Sequence, residues 1–146
     1  RSYIPLLTQY CHKLTNIGVA VEVFLVSDLL SLCYANPLLE EFRCYYRTGI
    51  TDSALIELIH ACPHLHTLRL PYDTDITDIG ILTLCEHCPQ LQWLDITHCK
   101  QVTEAAVLQL LQRCWQLKQL FVSKLSLSAE AAAEVKRTRN INIYLK

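Results

Sequence analysis

The residues of this chain whose types and spacing come nearest to a reactive centre are Cys85-Glu86-His87-Cys88, with His98-Cys99 soon after. Two thiols separated by two residues can grip a zinc ion, and a histidine and a further cysteine could complete four ligands. Structural zinc sites usually draw on a second such pair, and none follows here. Cys88 and Cys99 also recur in a longer pattern, and Cys85 stands where Ile59 and Leu111 stand in neighbouring units. That place calls for an apolar side chain, and free cysteine packs as a small hydrophobe. The expectation is buried thiols, no metal and no cofactor. A Cys/His metal-binding sensor is the minor alternative.

Covalent catalysis fares no better. A nucleophilic cysteine needs a positioned base and partial exposure. His98 is a neighbour of Cys99 in sequence only. The chain has three glycines and no Gly-rich loop to cradle phosphate. No catalytic residue is assigned, and the chain is not expected to be an enzyme.

The elements that would position any site come from a sentence written twice. Pro63-His64-Leu65-His66-Thr67-Leu68-Arg69-Leu70, Ile76-Thr77-Asp78, Leu84 and Cys88 are followed, 26 residues on, by Pro89-Gln90-Leu91-Gln92-Trp93-Leu94-Asp95-Ile96, Val102-Thr103-Glu104, Leu110 and Cys114. Self-similarity at a fixed period of this size marks a solenoid. In L-x-x-L-x-L the leucines of the strand share one side and the intervening residues point to the other. Thr-Asp or Thr-Glu then places a capping hydroxyl and an acid at the start of a helix.

In chain order, Ser2 to Cys11 reads as the closing helix of a unit whose strand lies upstream, with Ile4, Leu7 and Cys11 on one face. Pro5 fits only its first turn. Leu14 to Val19 is the next strand. The apolar run Val19 to Val26 departs from the pattern, and Ser27-Asp28 offers a helix cap ahead of Leu29, Leu32 and Cys33. Leu39 to Cys44, Leu65 to Leu70, Leu91 to Ile96 and Leu117 to Val122 are the further strands, with helices between them. Ser128 is the last N-cap, and Ile141 to Leu145 is a closing strand that pairs with the Leu117 strand. Units stacked in this way give an α/β solenoid. It is a right-handed βα horseshoe with a parallel sheet on its concave face and helices on its convex face.

The positions between the leucines form ladders across that sheet. One runs Asn16, Glu41, Thr67, Trp93, Gln119; the next runs Gly18, Arg43, Arg69, Asp95, Phe121. Tyr45-Tyr46, Pro71-Tyr72, Thr97-His98 and Ser123-Lys124 follow the strands. The candidate protein-binding residues on the concave face are therefore Arg43, Tyr45, Tyr46, Arg69, Tyr72, Trp93, Asp95, His98 and Phe121. Trp, Tyr and Arg are the types that most often anchor interfaces. The competing reading is that Trp93 packs on Arg69 or Phe121 and merely covers the sheet. Trp115 replaces Pro63 and Pro89 at the helix-to-strand turn and reads as structural. His12, His60, His64 and His87 fall near helix ends and turns.

The pattern C-P-x-L-x-x-L-x-L-x-x-C-x-x-[IV]-T-[DE] resembles the cysteine-containing leucine-rich repeat. Cys88, Leu91, Leu94, Ile96, Cys99, Val102, Thr103 and Glu104 match it in order. The Pro63 unit matches too, except that Asp73 stands where Cys99 stands. Proteins of this repeat type are most often F-box proteins, whose repeats hold the substrate of a cullin–RING ubiquitin ligase. The resemblance implies a non-catalytic substrate-recognition module. Its partners would be a protein on the concave face and ubiquitin-ligase subunits reached through an upstream region. The alternative is a repeat scaffold in a regulatory complex, or a microbial effector, without a ubiquitin connection.

Composition narrows the rest. The 146 residues are enough for a single domain, 1–146, and half are hydrophobic. With no methionine, even at position 1, the chain reads as a C-terminal piece of a longer protein. A net charge of −1 without basic clusters argues against nucleic acid or a membrane surface as partner. No apolar run reaches bilayer length. Eight cysteines that fall on repeat positions suggest reduced thiols and a cytoplasmic or nuclear protein.

Overall fold

The computed structural model describes residues 3–20 and 24–146. Six strands and six helices alternate along them: α1 Ile4–Tyr10, β1 Asn16–Val19, α2 Val26–Tyr34, β2 Glu41–Cys44, α3 Asp52–Ala61, β3 Thr67–Arg69, α4 Asp78–His87, β4 Trp93–Ile96, α5 Glu104–Arg113, β5 Gln119–Val122, α6 Ala129–Thr138 and β6 Asn142–Leu145. The strands form one parallel sheet in sequence order, β1 to β6. The chain is thus an α/β solenoid of leucine-rich-repeat type. Among the described residues no helix is long and apolar enough to cross a membrane.

Strand pairing follows the repeat. Thr67 lies opposite Trp93, Leu68 opposite Leu94 and Arg69 opposite Asp95. Phe42, Leu68, Leu94 and Leu120 turn inward and are fully buried. They meet the helical residues Leu55, Leu58, Leu84, Val107 and Leu110 in one continuous apolar core. A lone repeat would leave its inward face wet, so stacking supplies the stability.

Each regular helix starts on a hydroxyl. Thr51, Thr77, Thr103 and Ser128 accept from Ala54, Ile79, Ala106 and Ala131 N–H groups. The acid that follows reaches sideways into the next unit. Asp52 accepts from Thr77, Asp78 from Thr103 and Glu104 from Ser128, each through backbone N–H and side-chain hydroxyl. One carboxylate per repeat thereby ties neighbouring helix N-termini together.

The first unit differs from the sequence expectation. Ser27 does not cap α2; Leu25 is the N-cap and no side chain bonds there. Leu25 and Val26 stand 26 residues before Thr51 and Asp52, so α2 starts in phase with its neighbours. Packing of Leu29, Leu32 and Cys33 into the core fixes that phase, and capping chemistry yields to it. The reading of Val19 to Val26 as an unusual run falls partly on residues 21–23, outside the described residues. Helix α1 has Pro5 in its first turn, as expected, and buries no residue fully.

Two polar side chains substitute for pattern residues inside the core. Asn36 stands 26 residues before Cys62 and is fully buried. Its amide donates to Cys11 and Leu32 carbonyls and accepts from Leu14 N–H, stitching the first turn to the second. Asp73, in the Cys99 slot, accepts from Thr48 N–H and hydroxyl and from Gly49 N–H.

Candidate functional site

The face of the sheet opposite the helices carries the predicted ladders in the predicted register. Asn16, Glu41, Thr67, Trp93, Gln119 and Asn142 form one row; Gly18, Arg43, Arg69, Asp95, Phe121 and Tyr144 form the next. Strand alternation puts these side chains outward because their neighbours are claimed by the core.

Two clusters result. Towards β2 the cluster is charged. Arg69 lies with its guanidinium carbon 4.8 Å from the centre of the Tyr45 ring and its Nε 3.2 Å from Asp95 Oδ2. The Nε–H points off the line to the carboxylate and has no hydrogen-bond partner among the described residues, so that contact is Coulombic. Arg43 pairs with Glu41 on its own strand at 2.7 Å. Asp95 is only 4% exposed and also accepts from Thr97 N–H. Its carboxylate therefore orients Arg69 and the turn rather than facing solvent.

Towards β6 the cluster is aromatic. Trp93 and Phe121 have ring centres 5.0 Å apart, and Phe121 stacks on Tyr144 at 4.3 Å. Trp93 Nε1 donates to Gln119 Oε1. Lys146 Nζ sits 5.3 Å from the Phe121 ring centre. Trp93 thus packs on Phe121, as the competing reading held, and not on Arg69. Trp93 and Phe121 remain half-buried, and Tyr144 is 42% exposed.

Tyr72 and His98 occupy the same place in successive units, just past β3 and β4. Both take left-handed backbone, at φ 69° and 64°, and their rings stack at 4.7 Å. That conformation costs a residue with a Cβ about 1–2 kcal/mol, and such strain gathers at working surfaces. Tyr45, Tyr46 and Tyr72 are all exposed.

Sequence reasoning set Gln119 beside Trp93 in the outward ladder but did not place Tyr144 or Lys146 in the cluster. Continuing each ladder into Ile141 to Leu145 could have found Tyr144, had the shorter last unit been allowed for.

The cysteines lie elsewhere, in the core between helices and sheet. All eight are free thiols, and all but Cys11 are buried. Burial pushes Cys88 up to about 11 and Cys99 up to about 12, so both stay neutral. Cys33 and Cys114 are pushed up further, first by hydrogen bonding with Cys62 and Cys85 and then by burial. Cys85 takes its core slot on α4, while His98 stands in its stack with Tyr72. Among the described residues no three His, Cys, Asp or Glu side chains converge on a point that could hold a metal ion. Trp115 sits at the α5–β5 turn as expected, yet it is 71% exposed, with Arg139 over its ring. His12, His60, His64 and His87 are exposed.

No protein-family model and no curated protein sequence matches the chain. Among solved structures it is similar to a chain of the crystal structure of the Rad7 and Elc1 complex in yeast. The TM-score is 0.62 at 17% identity, over 95% of this chain and 44% of that one. The likeness is one of fold, and this chain spans less than half of its neighbour's length.

Proposed function

We propose that this solenoid is a non-catalytic protein-binding module. It holds a partner on the open, concave face of its sheet in the manner of the substrate-binding repeats of F-box-type ubiquitin-ligase receptors. The observation that carries the reading is the outward run Trp93–Phe121–Tyr144 beside the Tyr45–Arg69 pair. Folding alone gives no reason to line an outer sheet face with aromatic rings, whereas an interface does. The rings are fixed by mutual stacking and Arg69 by Asp95, so little side-chain freedom is lost on binding. A protein partner also accords with the fold neighbour, which was solved as a complex of Rad7 with Elc1.

The test compares proteins captured from cell extract by the native chain with those captured by a Trp93→Ala, Phe121→Ala double variant whose circular dichroism is unchanged. Truncating a central anchor of this kind costs about 2 kcal/mol or more in binding. Proteins retained by the native chain and lost from the variant support the open face as the site. Ubiquitin-ligase subunits among the captured proteins support the receptor reading. Equal capture by both chains overturns the assignment to this face.

A further inference from the structure

A second surface lies at the N-terminal ends of β4 to β6. A cavity of about 410 Å³ opens there, lined by Gln92, Gln116, Lys118, Gln119, Asn140 and Asn142, with Trp115 and Leu117. No carboxylate lines it. The repeat supplies a comparison for one of its amides. Gln90, 26 residues before Gln116, spends its amide on the Pro63 and Leu65 carbonyls of the preceding turn. Among the described residues Gln116 makes no such bond, and the side chains of Gln92, Asn140 and Asn142 have no partner either. Gln119 gives its carbonyl oxygen to Trp93, and its amide N–H groups have no acceptor among the described residues. Lys118 is in no ion pair among the described residues.

The indole beside this cavity has a cation over its ring. Arg139 donates to the carbonyls of Leu111, Cys114, Trp115 and Leu117, and its guanidinium carbon lies 5.1 Å from the Trp115 ring centre. Trp115 is 71% exposed despite that contact. An exposed Trp is among the residue types that most often anchor a partner.

We infer that this cavity binds an extended, acidic peptide segment of a partner protein. One carboxylate pairs with Lys118, the backbone bonds the free carboxamides, and an aliphatic side chain covers Trp115. A carboxamide offers both donor and acceptor, as each peptide unit does. One lysine without a counter-ion, in a lining that holds no acid, selects a negative ligand. The inference does not depend on the open-face proposal, since of the rows across that face only Gln119 and Asn142 line this cavity.

The probe is an array of acetylated, amidated heptapeptides on cellulose, with acidic and aliphatic content varied independently. Blocked ends remove any terminal carboxylate. The best peptide is then labelled with fluorescein and titrated by anisotropy. Acidic, aliphatic peptides are expected to bind, and their Asn/Gln counterparts to bind at least tenfold more weakly. Trp115→Ala and Lys118→Glu are each expected to weaken the best peptide about thirtyfold. Glu57→Gln, on the exposed side of α3, is expected to leave it unchanged. The inference is overturned if no peptide binds, if binding ignores acidic content, or if Lys118→Glu, a surface change that leaves folding intact, binds like the native chain.

Discussion

Asp52 Oδ1 accepts the Thr77 N–H at 2.8 Å while its Oδ2 accepts the Thr77 hydroxyl at 2.6 Å. The acid at the start of one helix thus completes the cap of the next. Asp52→Ala leaves Thr77 N–H and Gly80 N–H without their acceptor at a partly buried helix end. The expected loss is about 1–2 kcal/mol, or roughly 3–8 °C in Tm for a chain of this size. Thermal unfolding followed at 222 nm checks it. An unchanged Tm would show that the tie between units contributes nothing.

Gly80→Ala sets helix propensity against this same tie. In a free helix the change gains about 1 kcal/mol. Here a Cβ at position 80 would stand 2.5 Å from Asp52 Oδ1 and 3.0 Å from a Leu55 methyl carbon. Asp52 must then leave Thr77, and Leu55 is fully buried with no room to retreat. Gly80→Ala is expected to destabilise, by about 1–3 kcal/mol in urea unfolding. A stabilised variant would mean that Asp52 can move without loss.

Asp73 gives a pH-dependent prediction. It is fully buried, and burial pushes its carboxyl above the ordinary carboxylate value although three donors from Thr48 and Gly49 pull the other way. The folded chain therefore holds this proton more tightly than the unfolded chain. Stability from this group is complete below the unfolded value and is lost as pH rises through the folded one. Asp73→Asn keeps an acceptor for the two N–H groups and cannot ionise. Urea midpoints measured from pH 4 upward should fall less steeply for Asp73→Asn than for the parent. Parallel profiles would place the raised value elsewhere.

The repeat period made the sheet legible, residue by residue, because the side chains that face the core recur every 26 positions between β2 and β5. The open-face rows followed from the same arithmetic. The arithmetic failed where the unit length changes. Gln119 pairs with Asn142, only 23 residues on, so a fixed period steps past Tyr144 and hides the end of the aromatic run. The cap reading at Ser27 failed for another reason: a local cap signal competes with packing phase, and phase prevails. The sideways reach of Asp52, Asp78 and Glu104 was hidden too. Each acid also suits the start of its own helix, and nothing in one repeat tells which role it fills. Asn36 and Arg139 were unreadable for a related reason: a polar residue in a core slot reads as a mismatch until its carbonyl partners are known.

Arg139 offers the sharpest separation of charge from shape. Its guanidinium donates to four carbonyls around the α5–β5 turn and covers Trp115. Burial lowers its pKa, yet a guanidinium keeps its charge at any pH the fold survives. Arg139→Lys retains the charge but offers one compact ammonium, which can reach some of these carbonyls and cannot lie flat on an indole. The expected cost is about 1–3 kcal/mol, concentrated in the last unit. Hydrogen exchange at Asn142, whose N–H bonds Lys118 O, and at Lys146, whose N–H bonds Val122 O, should quicken before exchange in β3 or β4. If Arg139→Lys matches the parent at those amides, the charge alone holds the turn and the planar fork does not. Uniform quickening across all strands would mean that the solenoid unfolds as one body, with Arg139 no more important to its last unit than to its first.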